Sequence, residues 1–89
     1  MLGAFTATLA RDEKTSGWIH VRWAESKDVL QTGKPVKVSA TIDGYQFTAT
    51  LMPLGDGAHM LPVKAAVRKA IKKDLGDTVQ VTILALVQT

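Results

Sequence analysis

The sequence predicts a mostly β protein, a small, partly open barrel of about five or six short strands with one amphipathic helix (about residues 62–73) before the last strand. Three observations carry this. Most of the chain alternates apolar and polar residues with the period of a strand. The alternating runs are separated by glycine, aspartate and proline turns such as Asp43-Gly44 and Gly55-Asp56-Gly57. Only one stretch, late in the chain, has a sustained helical period. A late helix among short strands suits one open end or one face of a barrel, and closing the sheet protects its edges.

The elements follow in order. Phe5, Ala7 and Leu9 share one face and Thr6 and Thr8 the other, as in a half-buried strand. Arg11 to Gly17 is polar with both charge signs and reads as an exposed loop. A second strand runs from Gly17 to Trp23. Its core face is Ile19, Val21 and Trp23, and its other face sets Trp18, His20 and Arg22 in a row. That row reads either as a barrel rim or as a binding strip. Ala24 to Gln31 suits a turn or two of helix, with Gly33 as its stop. A hairpin spans 35–52: Val36, Val38, Ala40 and Ile42 point inward, Asp43-Gly44 turns the chain, and Tyr45, Phe47, Ala49 and Leu51 return on one face. Val36, Val38, Phe47 and Leu51 are expected to be buried. His59 to Leu61 reads as a short strand.

The helix comes next. Pro62 fits its first position, where a missing N–H costs nothing. Val63, Ala66, Val67, Ala70 and Ile71 form one apolar stripe. Lys64, Arg68, Lys69, Lys72 and Lys73 make the outward arc basic, and Gly76 offers a positive-φ stop. Leu61 has no side-chain acceptor for an N-cap. Either Asp56 or backbone carbonyls cap the helix, or its free donors face a bound anion. In the last strand, Val79, Val81, Ile83 and Ala85 lie on one side and Leu84 and Leu86 on the other. Its doubly apolar second half predicts a buried central strand or a dimer contact, so the protein is expected to be a monomer or a homodimer.

Eighty-nine residues make one domain, residues 1–89, with one modest core. No cysteine is present, so disulfide and thiol chemistry are excluded. No stretch reads as a signal peptide or reaches membrane length, and a cytoplasmic bacterial protein is the expectation. Up to residue 60 six bases cancel six acids; beyond it five bases face two acids, which supplies the whole net charge of +3. A basic helix face is either a solvated surface or a site for an anionic partner.

The set Phe5-Thr6-Ala7-Thr8-Leu9, Trp18, Pro35-Val36-Lys37-Val38, Ile42-Asp43-Gly44-Tyr45-Gln46-Phe47, Gly55-Asp56-Gly57-Ala58-His59, Leu61-Pro62-Val63, Val67-Arg68 and Gly76-Asp77-Thr78-Val79 resembles, in order and spacing, the bacterial small-barrel family known as domain of unknown function nineteen-oh-five. The likeness covers about residues 3–85. Trp23-Ala24-Glu25 departs from it, where a proline-containing turn is expected. The resemblance implies a partly open β-barrel with one helix and no established activity. Residues 59–83 alone also resemble the half-barrel of the bacterial transition-state regulators, which bind DNA as intertwined dimers. That likeness rests on what any strand–helix–strand unit needs.

Catalytic machinery is not visible. His20 and His59 lack metal-ligand spacing, none of Ser16, Ser26 and Ser39 sits in a nucleophile elbow, and Gly55-Asp56-Gly57 is too short for a phosphate-binding fingerprint. No cofactor or metal is therefore expected, and the reading leans away from an enzyme. Binding remains. In one reading Gly55, Asp56, Gly57 and His59 meet the helix N-terminus and the Trp18, His20 and Arg22 strip, and Lys64 and Arg68 offer charge to a small carboxylate or phosphate. The partner is then a small anionic molecule or another protein domain, with no membrane. In the alternative reading Lys64, Arg68, Lys69, Lys72 and Lys73 contact nucleic-acid phosphates, although +3 is a low charge for that role.

Overall fold

A computed structural model describes residues 1–11 and 17–87. The loop expected over Arg11–Gly17 falls largely outside them. Six strands form one sheet: β1 (Gly3–Thr8), β2 (His20–Trp23), β3 (Val36–Ile42), β4 (Tyr45–Pro53), β5 (His59–Pro62) and β6 (Thr78–Leu86). Every pairing is antiparallel, in the order β1-β6-β3-β4-β5-β2. The two end strands curl together. Ala10 and His20 make one bridge between them, and the rings of Phe5 and Trp23 stack across the seam, 5.9 Å between centroids and 7° from parallel. The result is the nearly closed, mostly β barrel that the alternating sequence predicts.

Its interior is aliphatic. Val21, Val38, Ala40, Ile42, Leu51, Leu61, Val79, Val81 and Ile83 are all buried, one or more from each of β2 to β6. The β3–β4 hairpin has the expected register, with Ile42 opposite Tyr45 and Val36 opposite Leu51. Asp43 and Gly44 have φ of 48° and 86°. Two positive values are what a two-residue type I′ turn needs to match strand twist. Val36 and Phe47 are half-buried rather than buried, and Phe47 lies at the open side of the barrel.

β6 is central, between β1 and β3, but its alternation breaks. Ser39 pairs with Ala85 and Ala40 with Ile83, so Leu84 is an extra residue at a bulge. Ala85 therefore leaves the inward face that Val79, Val81 and Ile83 share, and Leu86 comes opposite Val38. A strict two-residue period could not show this shift.

Two short helices complete the chain. α1 (Ser26–Leu30) ends at Gln31, whose left-handed φ of 55° stops it ahead of Gly33. α2 (Ala65–Ile71) is shorter than the stretch 62–73 that its sequence predicts. Pro62 belongs to β5, where it sits opposite His20. Lys72, at φ 59°, ends the helix before Gly76. Val67 is the buried residue of α2, Ile71 is half-buried, and Ala66 and Ala70 are exposed, so the stripe is narrower than its composition predicts. No helix among the described residues is long and apolar enough to cross a membrane.

Candidate functional site

The strands of this barrel differ in length, and that difference makes its main opening. β4 has nine residues and β5 has four. β5 pairs with β4 only at Met52 and Pro53, so Tyr45–Leu51 has β3 on one edge and no strand on the other among the described residues. α2 lies across this gap. Between them is an open groove of about 880 Å³. Its walls are the 47–50 and 52 stretch of β4, Pro62 to Arg68 of β5 and α2, and Gly17, Trp18 and Ile19 ahead of β2. Trp18, Phe47, Met52 and Val67 give it an apolar bed, and Arg11, Lys37, Lys64 and Arg68 stand around it, with no acid among the described lining residues. That size and lining are ordinary for a small-molecule pocket.

The nine site residues expected from the sequence separate into two places. Trp18, Lys64 and Arg68 line the groove. Gly55, Gly57 and His59 line a smaller hollow of about 250 Å³ at the other end of β5. β5 itself separates the 55–59 corner from the start of α2, a rise of about 10 Å over three residues. The sequence does not show that this strand holds the two apart.

The 55–59 corner is internally satisfied. Asp56 Oδ1 accepts the Ala58 amide at 3.0 Å, and Oδ2 meets Arg22 at 2.8 Å. The amide bond first, and then Arg22, hold this carboxyl below its ordinary range. Asp56 thus shapes its own turn and does not cap α2. Lys64 occupies the cap position in extended geometry with no side-chain bond, and its carbonyl accepts the amides of Val67 and Arg68. His59 is buried and uses both ring nitrogens. Nε2 donates to the Lys34 carbonyl at 3.0 Å, and Nδ1 shares a hydrogen bond with Ser26 Oγ at 2.7 Å. Ser26 is fully buried, so this pair ties α1 to β5 rather than offering a nucleophile.

The Trp18, His20 and Arg22 row is not a continuous strip. His20 is buried and its Nδ1 donates to the Trp18 carbonyl at 3.0 Å. Trp18 is half exposed at the groove, and Arg22 leans the other way to Asp56. Arg68 is also committed: Nη1 donates to the Val63 carbonyl at 2.6 Å, and Nε lies 3.2 Å from Asp74 Oδ1 without hydrogen-bond alignment. Lys73 reaches Asp43 at 3.3 Å and the Thr78 carbonyl at 2.8 Å. Lys37 and Lys64 make no ion pair among the described residues and stand exposed beside the groove. Among the described residues no three histidine or carboxylate side chains gather as a metal site.

Sequence reasoning missed the groove floor, Phe47, Met52 and Val67, and the free edge of β4. One signal was present: a nine-residue strand followed, after a glycine turn, by a four-residue one must leave part of its length unpaired.

The fold is a six-stranded, nearly closed barrel around an aliphatic core, with a groove beside the part of β4 that β5 leaves uncovered. Residues 5–83 match the model of the family described as domain of unknown function (DUF1905), and the chain belongs to that family. A comparison with curated proteins returned no match.

Proposed function

We propose that the protein is a cytoplasmic binding module whose working surface is the groove between β4 and α2, and that the groove takes an anionic partner with an apolar body. The observation that carries this is the pairing of an apolar bed with Lys37 and Lys64, on a wall where the described residues include no acid. Apolar contact supplies most of the affinity in such a site, and a few charges set orientation. The 55–59 corner is a weaker alternative, because its polar groups already have partners. Nucleic-acid binding through the helix is also less supported: Arg68 and Lys73 are engaged within the chain, which leaves Lys64, Lys69 and Lys72 for phosphates.

Amide chemical-shift titration tests the groove with phenyl phosphate and benzoate as probes. Shifts at Trp18, Phe47, Lys64 and Val67, with a shallow salt dependence, are expected. Shifts confined to Gly55–His59, or none in the folded protein, would exclude the groove.

A further inference from the structure

The backbone of β4 narrows the choice of partner. In a hairpin with a two-residue turn, the residues flanking the turn exchange hydrogen bonds, and bonded pairs alternate from there. With Ile42 opposite Tyr45, the residues that bond β3 are Tyr45, Phe47, Ala49 and Leu51. Gln46, Thr48 and Thr50 turn their N–H and C=O groups the other way. Met52 has the same parity, and it is there that β5 pairs. Past Met52 toward the turn, β5 ends at Pro62, which the register sets opposite Thr50 and which has no N–H to give; Gln46 and Thr48 lie beyond it, with no strand beside them among the described residues.

Exposed edges in soluble proteins are usually guarded by lysine, proline, a bulge or a covering helix, and here α2 faces the edge across an open groove of about 880 Å³. Tyr45–Leu51 has no charge and no proline, and its ladder with β3 runs without a shift. The edge also lies in the groove, since Thr48 and Thr50 are among the residues that line it. We infer that an extended acidic peptide segment of another protein binds here by adding a strand to the edge of β4. Main-chain bonds to Gln46 and Thr48 hold it, alternate side chains rest against Phe47 and Val67, and acids meet Lys37 and Lys64. Charge selects this occupant over a second copy of the chain, because two copies edge to edge would bring two sets of these lysines together. The inference rests on the groove reading and specifies its partner.

The test uses the whole protein and a capped peptide of sequence EVTVTVE at millimolar concentration. A second peptide of the same sequence is N-methylated on the residues that would face β4, and its mirror alternation serves as the unblocked control. The first peptide is expected to slow hydrogen exchange of the Gln46 and Thr48 amides at least about threefold and to shift Lys64, while the methylated one does neither. Lys64→Glu should weaken binding about fivefold. Thr48→Pro removes an N–H that β3 does not use and should abolish protection in a folded barrel. The methylated peptide keeps the test valid if that variant fails to fold. No protection of these amides by the unblocked peptide overturns the inference. If phenyl phosphate still shifts Trp18 and Lys64, the groove reading stands without it; if neither probe acts, both fall. Protection that instead rises with protein concentration, together with dimer in sedimentation, assigns the edge to a second copy and also overturns it.

Discussion

The hydroxyl of Ser26 lies 2.7 Å from Nδ1 of His59, thirty-three residues along the chain, and both side chains are sealed from solvent. The bond joins the first turn of α1 to the start of β5. With Nε2 held by the Lys34 carbonyl, it also closes the hydrogen-bond needs of the imidazole. Ser26→Ala would leave Nδ1 buried and unpaired. The expected loss of stability is about 1–3 kcal/mol, measured by urea unfolding. An unchanged midpoint would mean that water reaches the ring and that the corner is open.

The barrel seam makes a second prediction. A Cβ placed on Gly3 would meet Cζ2 of Trp23 at 2.7 Å, and Trp23 is 2% exposed and stacked on Phe5, so it has little room to swing. Gly3→Ala should therefore destabilise by about 1–3 kcal/mol and change the near-ultraviolet dichroism of the indole. Equal stability with an unaltered spectrum would show that β1 can move away from β2 at no cost.

Asp43 carries a pH dependence whose sign is fixed by geometry. Its carboxylate accepts the Gln80 amide at 2.9 Å and pairs with Lys73; the amide bond is the largest cause lowering its pKa from 3.8, with Lys73 adding to it and partial burial opposing it. A carboxyl depressed in the folded state adds stability that is full above its unfolded value, and that stability is lost as pH falls through the lower folded value. Thermal unfolding followed below pH 4 should thus show a loss that is smaller in Asp43→Asn, which is less stable at pH 7. Parallel pH profiles for the two proteins would remove Asp43 from the account.

These residues also mark what the sequence could and could not disclose. The alternation of Val36 to Ile42 and of Val79 to Ile83 states which side chains face the core, and Asp43-Gly44 states where the chain turns, because both are local properties. Whether Ser26 finds His59, or whether Leu84 bulges, depends on strands far apart in sequence. The candidate site was split for the same reason. Nearness in sequence and likeness in chemistry group Trp18, Lys64 and Arg68 with Gly55 and His59, but β5 stands between the two sets. The groove required knowing that β5 pairs with only two residues of β4.

Phe47 should reveal the groove by its modest cost. It is half-buried and stacked near Tyr45, with 6.5 Å between ring centroids. Phe47→Ala should cost about 2 kcal/mol, below the ~3–5 kcal/mol of a fully buried phenylalanine. It should also weaken phenyl phosphate binding. A loss near 5 kcal/mol would place the ring in the closed core instead.

Lys64 and Arg68 lie one helical turn apart on the groove wall and should fail in opposite ways. Arg68 is largely covered, with a side chain 19% exposed; it holds the Val63 carbonyl ahead of α2 and meets Asp74 beyond its end. Removing it frees both ends of a seven-residue helix that has no side-chain N-cap. Arg68→Met keeps the apolar stem and loses the head group, so the expected cost is about 1–3 kcal/mol, with anion binding weakened only as far as the helix shifts. Lys64 is exposed and makes no ion pair among the described residues. Lys64→Met should therefore leave the unfolding midpoint within about 0.5 kcal/mol of wild type while weakening phenyl phosphate and EVTVTVE binding several-fold. Melting curves and shift titrations on the two variants separate the roles. If Lys64→Met binds both probes as wild type does, the charge on this wall contributes nothing to recognition, and the groove would have to be read as apolar alone.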